Sequence, residues 1–239
     1  SDVYKRQDIG LRNLDVIMGL ENRIVYDLVN VIEGTCKLNQ AMIGDKHDYE
    51  LFLIPAAQTR DKNSIEPGQL REMCAELEKE FDYVLIDCPA GIEQGFKNAT
   101  AAAQEAIIVT TPEVSAIRDA DRVIGLLESA GLHRPRLIIN RIAPDMVKRG
   151  DMMDQKDVES LLAVEVIGLV PADEHTVVAA NRGVPVVHNV KSSAGAAFLR
   201  IAARVDGEDI PLMSIEPKTG LLSKFKGMVG MNGRAYSHA

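Results

Sequence analysis

The first place in this sequence where chemistry could sit is an apolar stretch that ends in an acid and a glycine-bearing turn. Phe81–Gly91 reads FDYVLIDCPAG, with Asp87 closing the apolar run and Pro89, Ala90 and Gly91 behind it. In open α/β sheets, ligands gather beyond the carboxyl ends of the strands. A carboxylate placed there can hold Mg²⁺ directly or through water, and Gly91 lets a backbone N–H approach a phosphate. The same residues would also serve as a plain strand end and turn, with Asp87 capping the next segment; spacing alone leaves both readings open. Asn140–Arg141 closes a second apolar run, RLIINR. An amide side chain carries both donor and acceptor and can pair with the edge of a base, or it can simply form a turn. A third stretch, Asp8–Gly19 (DIGLRNLDVIMG), is rich in carboxylates and guanidinium and taken alone reads as a solvated loop.

Two further patterns carry charge rather than reactivity. In SAIRDADR, helical spacing puts Ser115, Arg118, Asp119 and Arg122 on or near one polar face, which reads as a solvated surface laced by i,i+3 and i,i+4 neighbours. Near the carboxyl end, Leu221, Leu222, Phe225, Met228 and Val229 fall on one helical arc, with Lys224 and Lys226 on its flanks. An apolar arc edged by lysines, whose stems can snorkel, is the pattern of a helix lying in a membrane interface. Gly220, Gly227 and Gly230 weaken that helix in water by up to ~1 kcal/mol each. One such tail binds weakly and reversibly, and two on a dimer gain by avidity. Docking of the tail on its own domain is the alternative.

The elements that would position these residues emerge from the apolar pattern. Strands are expected at Leu51–Ala56, Asp82–Asp87, Glu105–Thr111, Arg136–Arg141 and Val164–Pro171. Helices are expected at Glu66–Glu80, Ser115–Ala130, Asp154–Ala163, Glu174–Arg182 and Ser192–Val205. The strands are near-continuously apolar rather than alternating, so they are buried on both faces. The fold class is therefore α/β, a mostly parallel doubly wound sheet with helices on both sides. Gly207, Pro211 and Pro217 mark a linker over 206–218, ahead of an amphipathic segment at 219–230 and a polar end at 231–239. Residues 1–7, SDVYKRQ, match none of these elements and are set aside.

Composition bounds the function. The 239 residues carry a net charge of −8, and an acidic body of this kind disfavours nucleic acid as a partner. From Lys218 onward there are four basic residues and no acid, so the rest of the chain is at −12; a basic tail on an acidic body implies a partner of its own. Three widely spaced cysteines form no CxxC pair and read as reduced thiols, with Cys36 and Cys74 expected in helices.

Taken in order, DIGLRNLDVIMGLENRIVYDLVNVIEG, QTRDK, FDYVLIDCPAGIEQG, TTPEVSAIRDADR and INR…VKRGDMM resemble the MinD branch of the deviant Walker A ATPases, relatives of the ParA partition proteins. The resemblance runs from Asp8 to about Val229. It implies a P-loop NTPase-like sheet, ATP and Mg²⁺ as ligands, and ATP hydrolysis. By the same likeness Asp8 is a switch I aspartate near the attacking water and Mg²⁺, and Asp87 is the Walker B aspartate. Gly91 belongs to switch II, Asn140 and Arg141 recognise adenine, and Pro171 and Asp173 line base and ribose.

The face of Ser115, Arg118, Asp119 and Arg122 is then a dimer and partner surface for the division inhibitor MinC or a topological factor such as MinE. The tail is an anchor on the anionic inner face of the cell membrane, with the body in the cytoplasm. A ParA-like partition ATPase and a non-catalytic membrane adaptor are the rival expectations. One departure stands out. The phosphate-gripping pattern GxxxxGK[ST] occurs nowhere in these residues. The resemblance implies that the first βα unit is missing, that the chain as given binds ATP poorly and does not turn it over, and that the Asp82–Asp87 strand lacks a neighbour.

Overall fold

The computed structural model describes residues 13–48, 50–56, 65–88 and 91–215. Its centre is a three-stranded parallel sheet in the order β3 (Ile107–Thr110), β4 (Arg136–Ile142), β5 (Glu165–Pro171). Alternation along β4 divides the core in two. Leu137 and Ile139 face α6 (Val114–Ser129) and α8 (Gln155–Leu162), whose Ile117, Ala120, Ile124, Leu127, Val158 and Leu162 complete the larger cluster. Ile138 faces the other way and packs with Ile167 and Val170 of β5 against Ala194, Ala197 and Ile201 of α10 (Ser193–Val205). Helices thus cover both faces of a parallel sheet, as near-continuous apolar strands require.

β5 has an irregular register. Leu137 pairs with Val166 but Ile138 with Gly168, so Ile167 and Gly168 both turn toward α10. A Cβ on Gly168 would lie 2.3 Å from Ile201 Cγ1, so glycine is what lets α10 approach the strand this closely.

The amino-terminal part is built from short pieces: α1 (Asn13–Ile17), α2 (Leu28–Ile32), α3 (Leu38–Ala41), and the hairpin of β1 (Ile43–Gly44) with β2 (Phe52–Leu53). Met18, Leu20, Ile43 and Leu53 form its own small core. It meets the sheet domain where Gly19 and Gly183 touch back to back. Both have positive φ, and a Cβ on either would fall 2.8 Å from the other's backbone. α4 (Pro67–Leu77) opens on a proline at its first turn, buries Leu70, Cys74 and Leu77, and packs on α5 (Gln94–Ala102). No helix among the described residues is long and apolar enough to cross a membrane.

Three expectations need correction. Leu51–Ala56 is not a buried strand of the main sheet but half of the antiparallel hairpin, with Leu51 44% and Phe52 42% exposed. Asp82–Asp87 joins no sheet. Leu85 is 83% and Tyr83 55% exposed, because β propensity becomes a ladder only where a neighbouring strand supplies the hydrogen bonds. Tyr83 instead donates through its hydroxyl to Asp206 at the end of α10, 2.5 Å away. Cys36, expected in a helix, lies in the turn between α2 and α3.

The linker region is also more ordered than its Gly and Pro content suggests. Arg204 donates to the Ile210 carbonyl and Arg200 to that of Pro211, while Leu212 and Ile215 pack on the larger core and Met213 on the smaller. Up to Ile215 it is a strap on the domain. The helices at Ser115–Ala130, Asp154–Ala163, Glu174–Arg182 and Ser192–Val205 appear within a residue or two of their expected bounds. α5 and α7 (Pro144–Arg149) have no counterpart among the expected elements.

Candidate functional site

The carboxyl end of β4 is distorted in a specific way. Ile139 pairs with Leu169 and Ile142 with Pro171, so Asn140 and Arg141 together stand opposite Val170. A bulge that puts two residues against one re-aims side chains at a strand end. Arg141 sits at φ 59, a left-handed conformation that costs a non-glycine residue about 1–2 kcal/mol. Its backbone N–H donates to Asn140 Oδ1 at 2.8 Å, which secures the turn. Pro171 is buried at the end of β5, and the Ala172 N–H donates to the Ile142 carbonyl at 2.8 Å, tying the two strand ends together.

Beyond these ends lies an open cleft of about 740 Å³. Val114 after β3, Arg141 within β4 and Ala143 after it, and Ala172 after β5 form its floor; Met146 and Met152, from α7 and the turn after it, line it too, as do the acidic Glu113, Asp151, Asp154 and Asp157. Its position matches the rule that open α/β sheets bind ligands outside the carboxyl ends of their strands. Methionines beside Arg141 and several acidic residues give the cleft both apolar and polar surface, which suits a flat, partly apolar ligand with polar edges.

Asp173 comes directly after Ala172 and caps α9 (Glu174–Asn181). Its Oδ1 accepts from the His175 backbone N–H at 3.0 Å and meets His175 Nδ1 at 2.7 Å. Its Oδ2 accepts from Ser192 Oγ at 2.7 Å, Ser193 Oγ at 3.1 Å and the Ala194 N–H at 3.1 Å. Burial alone would raise its pKa, but these donors outweigh that and hold the carboxyl far below the usual carboxylate range. The resemblance implied that Asp173 lines base and ribose; in the structure its carboxylate is committed to the protein, and the neighbouring Ala172 reaches the cleft.

Asp87 and Gly91 are both exposed, and Gly91 has φ 117, which a side chain rarely tolerates. Neither lines the cleft, and of the expected base-site residues Arg141 does so while Asn140, Pro171 and Asp173 do not. Ser115, Arg118, Asp119 and Arg122 are all exposed on the outer face of α6, opposite its buried stripe. Asp8 and the tail residues Leu221, Leu222, Lys224, Phe225, Lys226, Met228 and Val229 lie outside the described residues. Among the described residues no group of three His, Cys, Asp or Glu is gathered as for a resident metal. Mg²⁺ needs no such cage, since it takes one or two carboxylates together with phosphate oxygens. Sequence reasoning missed Ser192 and Ser193 as partners of Asp173. The signal was a serine directly before a periodic apolar helix, the mark of an N-cap.

Comparison with known proteins agrees with the geometry. The family described as ParA, NUBPL iron-transfer P-loop NTPase, matches residues 63–206. The septum site-determining protein MinD of Bacillus subtilis is 51% identical over 227 residues, 94% of this chain and 85% of that one. The MinC:MinD cell division protein complex of Aquifex aeolicus superposes with a TM-score of 0.81 at 44% identity, over 88% of this chain and 85% of that one. The MinD of Pyrococcus horikoshii complexed with Mg-ADP gives 0.71 at 27%, over 81% and 78%. A parallel sheet covered on both faces, a bulged Asn–Arg at its carboxyl edge and half-identical sequence over nearly the whole chain lead to one conclusion: the chain belongs to the MinD family of septum site-determining P-loop NTPases.

Proposed function

We propose that this chain is the body and membrane tail of an ATP-dependent switch that positions the division septum. ATP with Mg²⁺ drives dimerisation, the paired tails hold the dimer on the anionic inner surface of the cell membrane, and the dimer recruits the inhibitor MinC. The observation that carries the reading is the bulge at Asn140–Arg141, whose Arg141 lines the cleft together with Ala172. Asn140 and Arg141 would contact the adenine edge, with Pro171 and Ala172 beneath base and ribose. Asp87, and Asp8 outside the described residues, would bind the Mg²⁺ that accompanies the phosphates, and Gly91 would face the terminal phosphate. When bound, the cation would neutralise charge developing on the transferred phosphoryl group.

The α6 face of Ser115, Arg118, Asp119 and Arg122 would be the dimer and partner surface, for MinC and for MinE or another topological factor. The co-structure of an Aquifex aeolicus relative with MinC supports that partner, and Mg-ADP on a Pyrococcus horikoshii relative supports the ligand. Because these residues hold no GxxxxGK[ST] run, on their own they bind ATP weakly and do not hydrolyse it, since the N–H cradle and lysine of such a loop grip the phosphates.

Co-sedimentation with anionic lipid vesicles tests the switch. With a phosphate-binding βα unit from a relative joined ahead of Asp8, ATP should pull the protein onto vesicles and MinC with it. ADP should not, and a chain ending at Ile215 should stay in solution. Vesicle binding equal with ATP, ADP or no nucleotide would rule the switch out.

A further inference from the structure

One carboxylate stands at the amino termini of two helices. Asp173 caps α9 through the His175 N–H and α10 through the Ala194 N–H. The second contact is relayed further: Ser192 Oγ donates to Asp173 Oδ2 and accepts from the Gly195 N–H at 2.9 Å, as the N-cap of α10. Ser192 is only 3% exposed and the Asp173 side chain 6%, so water does not compete for these bonds. Helix amino termini leave N–H groups without intrahelical partners and favour negative charge, and a buried carboxylate between two of them satisfies both at once. The residue before this junction is Ala172, which lines the cleft and is bonded to the end of β4. Any slack at Asp173 would therefore reach the cleft floor within one residue.

We propose that Asp173 is a positioning residue that, by capping α9 and α10 together, fixes Ala172 at the cleft against the Asn140–Arg141 bulge so that the base subsite is set before ligand arrives. This rests on the reading of the cleft as a nucleotide site. Preorganisation of this kind acts on affinity, because a floor that must be ordered on binding lowers the free energy left for the ligand. Asp173 itself contacts no ligand, its oxygens being taken.

The test uses the chain as it stands, with adenosine as probe, because adenosine carries base and ribose and needs no phosphate grip. Amide exchange and adenosine titration are monitored by ¹⁵N NMR. In wild type, adenosine should shift the Asn140, Arg141 and Ala172 resonances. Asp173→Asn, whose amide nitrogen cannot accept from the α10 donors, should speed exchange at Ala194 and Gly195 at least tenfold while mid-α10 amides stay protected. It should weaken adenosine at least fivefold. Should that variant fail to fold, the pair Ser192→Ala and Ser193→Ala leaves the α9 cap in place and carries the same test. Faster exchange with unchanged adenosine affinity would make Asp173 a structural cap only and overturn the proposal. Unchanged exchange would show that the clamp does not hold α10. A wild-type chain whose resonances ignore adenosine would overturn the base-site reading, and the positioning role with it, while exchange still reports whether the clamp exists.

Discussion

At the scale of single residues, the two informative positions are strained or buried in ways composition does not announce. Arg141 holds a left-handed backbone conformation. Arg141→Gly should leave stability unchanged or raise it by up to about 1 kcal/mol, whereas Arg141→Val, β-branched at positive φ, should lower it by about 1–2 kcal/mol. Urea titration reads both, and a gain on introducing valine would argue against the strained turn. Asp173 yields a pH prediction. Its folded pKa is depressed, so it contributes stability above the ordinary carboxylate pKa of about 4, and that stability is lost as pH falls through the folded value.

The Tm gap between wild type and Asp173→Asn should be full at pH 7, equivalent to about 1–3 kcal/mol, and should narrow steadily as pH falls below about 5. A gap constant down to about pH 2.5 would mean that the charge on Asp173 contributes nothing. The sequence disclosed Asn140 and Arg141 as a strand end, and the family resemblance supplied the role proposed for them. It could not disclose that the Asp173 carboxylate turns inward, since its partners Ser192 and Ser193 lie 19 and 20 residues away.

At the scale of elements, periodicity was legible where the packing partner is close in sequence. The stripe Ile117, Ala120, Ile124, Leu127 makes α6 amphipathic on its own terms, and β4 and β5 are apolar enough to require burial on both faces. Asp82–Asp87 reads as a strand by the same logic and joins no ladder, because a strand's existence depends on a neighbour that its own residues do not encode. The strap at 207–215 shows the converse. Gly207 and Pro211 suggest a linker, while Leu212, Met213 and Ile215 supply the contacts that hold it down. The tightest packing is strand to helix at Gly168. Gly168→Ala should destabilise by about 1–3 kcal/mol through its clash with Ile201. Ile201→Ala alone should cost about 2–5 kcal/mol as a cavity. The double variant should cost measurably less than the sum of the two, because the new methyl enters the vacated space; strict additivity in thermal or urea unfolding would contradict the close approach of α10 to β5.

For the whole molecule, the arrangement joins three things: a parallel sheet whose carboxyl edge opens on a cleft, an exposed charged face on α6, and a basic amphipathic sequence beyond the strap. That the body is acidic and the segment from Lys218 basic was legible from charge alone, and so was the doubly covered sheet. What charge and periodicity could not supply is the phosphate grip, which depends on a glycine–lysine loop absent from these residues. The proposed function divides the labour: base and ribose are assigned to the β4 and β5 edge, and phosphates to a glycine–lysine loop of the kind these residues do not hold. Calorimetry with Mg-ATP tests it most directly, on this chain and on the same chain carrying a relative's phosphate-binding βα unit in front. Saturable ATP binding by the extended chain, and little or none by this one, is the predicted result. Tight ATP binding by this chain alone would contradict that division, and would place the phosphate site elsewhere in the fold.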